Sequence, residues 1–317
     1  MSMQNKMMTI RLDYWSDFYK LAAWFLNDTG QWVFRGQEKA EWELKTSLER
    51  ESEKQKWKIM KMRKIPMPEE RLACFLNTGT QANEFEQIEA FKVQEQWNHY
   101  MGEHKLPYLA AMQHYGLPTR LLDFTHSLFI AAYFAFENRR SRGDRAIWAI
   151  CVDPILVSAK RTLGIPEEAN IYEVQRRILD MEEEFINNAR PPSKYGVLPL
   201  LTCGANPRLK AQNGLFLMPF TIDGFFVNLE RSLPGGLVQM MANTGAARHG
   251  AHEFLVEQFL QLKTKQEIAI MKIICSKGMK KTAEAVCRQM NLTKERLFPD
   301  VPFADAKDNV IRRFWYK

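Results

Sequence analysis

The chain has 317 residues, of which 46% are hydrophobic and 26% charged, a globular balance that excludes intrinsic disorder. Forty-four Lys and Arg against thirty-seven Asp and Glu leave a net charge of +7, which favours contact with polyanions without requiring it. Five scattered cysteines (Cys74, Cys151, Cys203, Cys275 and Cys287) form no C-x-x-C pair, so reduced and mostly buried thiols are expected rather than a zinc site or a redox couple.

The opening MSMQNKMMTIRLDYW has no basic start leading into a continuous apolar stretch, so no secretory signal is expected and a cytoplasmic setting is. Residues 10–27 carry Tyr14, Trp15, Phe18, Leu21, Ala22, Phe25 and Leu26 at helical spacing, and Asn27-Asp28-Thr29-Gly30 ends the run. Residues 31–35 then have the aromatic and β-branched character of a strand, which Gly36 is expected to end by a tight turn, leaving Arg35 at the strand's end. Residues 49–105 read as mostly helical, interrupted by Pro66 and Pro68. The basic run of Lys54, Lys56, Lys58, Lys61, Arg63 and Lys64 is either a solvated face or a phosphate-contacting one.

A helix over 106–115 stops at Gly116-Leu117-Pro118, and residues 119–124 follow as an apolar strand carrying Asp123 near its end. Thr125 or Ser127 can cap the next helix, 128–136, which is apolar nearly all round and about half the length a membrane span needs. It is read as a core helix, with no membrane partner. Residues 146–152 form a strong central-strand candidate ended by Asp153-Pro154. Residues 155–200 read as a variable helical insertion with an exposed helix over 167–188. Further strands are expected at 215–218, 224–229 and 270–274, a helix at 252–268, and small helices at the end. No repeat or flexible linker divides the chain, so one α+β domain over 1–317 with a central mixed sheet and helical insertions fits best.

Two stretches far apart carry a resemblance: Phe34-Arg35-Gly36-Gln37, and Gln113-His114-Tyr115-Gly116-Leu117-Pro118-Thr119-Arg120-Leu121-Leu122-Asp123-Phe124-Thr125. Together with weaker echoes at 206–216 and 297–300, they make the chain resemble the FRG-domain family from about residue 30 to 305. The resemblance implies a bacterial or phage setting, often near antiphage defence or toxin–antitoxin genes, and hence a neutralising antitoxin protein as a partner. The layout is also similar to that of ADP-ribosyltransferases: an aromatic-Arg-Gly strand, a strand entering a Thr/Ser-capped apolar helix, and a late strand preceded by Glu or Gln.

That likeness implies a toxin-like ADP-ribosyltransferase that takes NAD as its substrate and modifies a macromolecule, with RNA or DNA a candidate acceptor given the basic charge. Arg35, beside Gly36 and Gln37, suits bidentate contact with a pyrophosphate, although it can equally serve as a structural partner of Asp123. Thr125, Ser127, Tyr115 and Tyr133 can supply the hydroxyl and aromatic groups that grip ribose and nicotinamide. Arg120 can bind phosphate or form a buried salt bridge. An acceptor must steady the oxocarbenium-like transition state, and Gln212 stands where many such transferases have Glu. Asp123 and Glu257 are the nearest acidic replacements, and His114 is either a structural histidine or an acid–base group. The departure at Gln212 keeps two alternatives open, a non-catalytic nucleotide- or phosphate-binding module and an NAD glycohydrolase. No histidine has trusted metal-ligand spacing, and no Walker loop, Rossmann fingerprint or nucleophile elbow occurs.

Overall fold

The computed structural model describes residues 5–62, 88, 104–114, 116–138, 140–181, 194–200, 207–233, 237–241 and 268–299. Eight described strands make one mixed sheet: β1 (Asn5–Leu12), β2 (Trp32–Gln37), β3 (Leu122–Thr125), β4 (Arg145–Cys151), β5 (Val197–Leu200), β6 (Gly214–Pro219), β7 (Leu237–Met241) and β8 (Ile268–Cys275). Their order is β5-β6-β3-β2-β4-β8-β1-β7. Pairing is antiparallel from β5 to β8, and β1 runs parallel to both β8 and β7. The helices are α1 (Trp15–Asn27), α2 (Ser47–Met62), α3 (Lys105–His114), α4 (Leu128–Phe136), α5 (Val152–Leu163), α6 (Ile171–Asp180), α7 (Pro207–Ala211), α8 (Phe225–Ser232), α9 (Lys280–Gln289) and α10 (Lys294–Leu297). This is the α+β class expected.

All seven residues of β4 are buried, because the sheet is covered on both faces at its centre. Ile147 and Ala149 point into one layer with Phe34, Met271, Ile273 and the apolar faces of α1, α4 and α9. Trp148 and Ile150 point the other way, joining Val33, Leu122, Phe124, Leu215 and Leu217 against Ile155 of α5 and Phe225 and Leu229 of α8. A third cluster packs α3, α5 and α6 around Leu198, Phe216 and Met218 at the β5–β6 edge. Cys151, Cys275 and Cys287 are buried and in no disulfide, as expected for reduced thiols, and Cys74 and Cys203 lie outside the described residues. Among the described residues, no helix is long and apolar enough to cross a membrane.

Several sequence expectations need correction. Residues 10–12 belong to β1, not to the following helix, since the ladders to β8 and β7 supply partners that helical spacing cannot foretell. Residues 225–229 form α8 rather than a strand. Phe225, Asn228 and Leu229 recur on one buried face, and Gly224 turns the chain with φ +126. Gly36 does not end β2. It lies inside the strand where α4 crosses, and a Cβ there would come within 1.9 Å of the Ala131 carbonyl oxygen. The strand expected over 146–152 does end at this point, at Cys151, and Asp153-Pro154 then falls in the first turn of α5, where a proline costs no helical hydrogen bond. The stretch read as a helical insertion, 155–200, contributes strand β5 to the sheet's edge. The strand expected over 119–124 starts only at Leu122, since Thr119 is held by Ser47 and Gln113 rather than by a neighbouring strand. The helix expected at 252–268 lies outside the described residues, apart from Ile268, which begins β8.

Candidate functional site

Strands β6, β3 and β2 lie side by side, and their ends open on one cleft of about 810 Å³. Arg35, Gly36 and Gln37 from β2, Asp123 and Thr125 from β3, and Gln212 just before β6 all line it. The two long sequence motifs and the late-strand residue thus meet although up to 177 positions separate them.

Within the cleft the groups differ in what they have left to offer. Arg35 donates from Nη1 to the Asp123 backbone oxygen at 2.7 Å and stands 3.5 Å from the Asp123 carboxylate. Its Nε is buried without a hydrogen-bond partner, and the side chain is 21% exposed. A buried donor left unmet costs free energy unless something else occupies it. Both readings of Arg35, ligand and structural partner of Asp123, are therefore compatible in one side chain. Asp123 is 47% exposed at the side chain and is held from behind by Gln113, whose Nε2 donates to its Oδ2 at 2.8 Å. Gln113 in turn accepts from the Thr119 hydroxyl at 2.5 Å, so the motif residues brace one another.

Other expected ligands are already occupied. Thr125 donates its hydroxyl to the Gln212 backbone oxygen at 2.7 Å and accepts from the Ser127 amide at 3.1 Å, which clasps β3 to the chain entering β6. Gln37 spans the Glu43 backbone oxygen and the Trp148 indole, fixing the rim formed by residues 38–43. Gln212 turns its amide nitrogen to the Leu297 carbonyl at 3.0 Å. These three shape the cleft.

Three predicted residues are not brought into it. Arg120 is 1% exposed, donates to the Phe220 backbone oxygen and lines a separate small pocket with Thr46, Glu49 and Thr221. Ser127 spends its hydroxyl on capping α4 through the Ile130 amide. Tyr133 lies on α4 with its hydroxyl facing Glu137, and burial followed by that carboxylate pushes its pKa up to about 12. Tyr115, Glu257 and the His114 side chain lie outside the described residues.

The sequence reading missed Arg50 and Arg208, which line the same cleft. Burial first, and then the charge of Arg35, depress the pKa of Arg50. Burial likewise depresses that of Arg208, whose guanidinium sits 4.2 Å from the centre of the Phe298 ring. Arg50 was hidden at the edge of a charge run that reads as a solvated helix face, although Arg208 stood in plain view beside Pro207. Three guanidiniums are thereby gathered around one partly dehydrated space and can meet an anion there, although Glu38, Glu41, Glu43, Glu53 and Asp123 line the same cleft. Trp42, 45% exposed, adds an aromatic face at the rim. Lys45 is less available, being paired with Glu53 at 2.8 Å and Glu43 at 3.2 Å, carboxylates that raise its pKa against the opposing pull of burial.

No curated protein and no solved structure matches the chain. A family model described as FRG domain matches residues 30–144, the stretch that supplies β2, α2, β3 and α4, and with them Arg35, Arg50, Gln113 and Asp123. Residues 30–144 of this chain are an FRG domain, and the cleft is built around that domain's two signature stretches.

Proposed function

We propose that the cleft binds NAD and that the protein transfers its ADP-ribose to a macromolecule. The observation that carries this reading is the adjacency of β2, β3 and β6, which brings Arg35, Asp123 and the turn at Gln212 to one opening. Arg35, Arg50 and Arg208 match the two phosphates of a dinucleotide, and about 810 Å³ is a volume suited to a ligand of that size. In the reaction the bond between the nicotinamide nitrogen and the ribose anomeric carbon breaks, and nicotinamide departs neutral with the bonding electron pair. The positive charge left on the ribose is met by a carboxylate, and Asp123, steadied by Gln113 and Arg35, is the candidate. An acceptor nucleophile then bonds to the anomeric carbon and gives up its proton, for which Asp123 is also the candidate base. Action in the cell as a toxin or in antiphage defence, opposed by a neutralising partner, is the setting the family resemblance suggests.

A second reading has an observation of its own. Gln212 is neutral, and its amide is engaged with Leu297, which favours a binding module that holds a nucleotide without cleaving it. Labelled NAD incubated with the protein and with RNA, DNA and protein acceptors separates the readings. Label on an acceptor supports the transferase, free ADP-ribose supports a glycohydrolase, and intact but bound NAD supports the binding module. Arg35→Lys should weaken NAD binding about 10-fold or more without unfolding the protein, since lysine keeps the charge and loses the planar fork. Equal binding by the lysine variant would rule out bidentate contact.

A further inference from the structure

A second concentration of positive charge lies beside the cleft. Arg140, Ser141, Arg142, Arg145, Lys277 and Lys280 line a wide depression at the β4 and β8 ends, with no apolar side chain among them. Arg140, Arg142 and Lys277 are exposed; Arg140 and Arg142 have no carboxylate partner among the described residues, and Lys277 acts on the Asp144 carboxylate through its charge and its amide. Arg145 is fully buried beneath them. Its guanidinium donates to the backbone oxygens of Ser141 and Gly143 and lies 5.4 Å from the centre of the Phe136 ring, and its Nε has no partner. The nearby carboxylate, Asp144, is already taken by Arg11 at 2.7 Å and by the Lys277 amide at 2.9 Å. The Ala40 amide donates to the Asp144 backbone oxygen at 2.9 Å, so this loop abuts the 38–43 rim of the cleft.

We infer that this depression docks the phosphodiester backbone of a nucleic acid, and that this nucleic acid is the acceptor. The second half of that statement rests on the transferase reading above, whereas the first does not. Backbone phosphates are evenly spaced, exposed and repeated, which suits several exposed cations on two separate segments, Arg140 and Arg142 on one and Lys277 on the other. A lipid surface or a peptide would call for apolar side chains, and none of the lining residues supplies one. Arg145 cannot reach a ligand through its own bonded nitrogens, but its buried charge adds to the field above it.

The test compares wild type with the triple variant Arg140→Gln, Arg142→Gln, Lys277→Gln, whose side chains are exposed and carry no core packing. Binding of labelled single-stranded RNA and DNA is followed from about 50 to about 200 mM salt, and NAD binding and consumption are measured in parallel. Wild type should bind with steep salt dependence, and the triple variant should lose about 0.7 in the slope of log affinity against log salt per contact, about 2 in all. Arg140→Lys with Arg142→Lys, which keeps the charge, should bind like wild type. NAD binding should be unchanged in every variant. The RNA and DNA arms identify which backbone is preferred. Absence of wild-type binding at about 50 mM salt, or a triple variant that binds as wild type does, overturns the docking site. Docking as described in a protein that leaves NAD intact overturns the transferase reading and leaves the docking site standing.

Discussion

Two polar regions of the molecule, the cleft and the surroundings of Asn228, are put together in opposite ways. Beneath the sheet's end, Asn228 of α8 is fully buried and saturated: its amide donates to the Thr221 backbone oxygen, the Thr221 hydroxyl and the Gly224 carbonyl, and its oxygen accepts from the Thr221 and Gly196 amides. Glu49 joins the same knot, accepting from the Thr46 and Phe225 amides, so that one carboxylate caps the start of α2 and the start of α8. In the cleft, by contrast, Arg35 keeps an unmet Nε, and Arg50 is set close enough for the two charges to repel. A saturated polar cluster holds elements together, whereas one that keeps a buried donor unmet and two guanidiniums close together leaves a place for something else to bind. The same residue types serve both ends, and only the count of partners tells them apart.

The largest expected effect comes from breaking the saturated side. Asn228→Ala removes five hydrogen bonds and leaves the Thr221 and Gly196 amides buried without acceptors, so stability should fall by about 3 kcal/mol. Urea midpoints with an unchanged slope would measure it. A loss below about 1 kcal/mol would mean that water replaces the side chain and that the knot is less closed than its geometry indicates.

Arg50→Gln should behave in the reverse sense. Stability should change by less than about 1 kcal/mol, because the loss of the Arg50 bond to the Lys45 carbonyl is offset by relief of repulsion with Arg35. NAD affinity should drop about 10-fold, measured by calorimetric titration. Destabilisation with intact binding would reassign Arg50 to the structural group.

The smallest effect concerns pH. Burial raises the pKa of Glu49 above the ordinary carboxylate value, against the opposing pull of its Thr46 and Phe225 hydrogen bonds. A carboxyl with a raised folded pKa binds its proton more tightly when folded. Its contribution to stability is fully present below the unfolded pKa and fades as pH rises through the folded one. Wild type should therefore lose stability relative to Glu49→Gln as pH climbs out of the acid range, apart from the constant cost of the acceptor that glutamine lacks. A gap between the two proteins that stays the same at every pH would show that Glu49 is not shifted, and that the knot tolerates the charge as well as water does.

The central strand, the core helix and the convergence of distant motifs were legible in the sequence because each leaves a local trace. Residues 146–152 are apolar without interruption, as a strand covered on both faces must be, and 128–136 are apolar all round, as a helix buried between layers must be. Thr125 and Arg35 belong to stretches that resemble a known family, Gln212 to a weaker echo of it, and all three are expected to line one pocket. Other features have no local trace. Gly36 reads as a turn until α4 is seen crossing it, because close approach depends on a helix about a hundred residues later. Residues 225–229 have strand-like composition and become helical through a cap supplied by Glu49, 176 positions away. Arg120 and Arg50 show the limit most clearly. Each is an arginine near a motif or a charge run, and their roles are exchanged by burial: the one within the signature stretch is sealed in the core, and the one on an ostensibly solvated helix enters the cleft. Composition and periodicity determine which elements form and which faces are apolar, since these follow from neighbours in the chain. Which charge is left without a partner is decided only when the elements pack, because a hydrogen bond is satisfied in space and not in sequence.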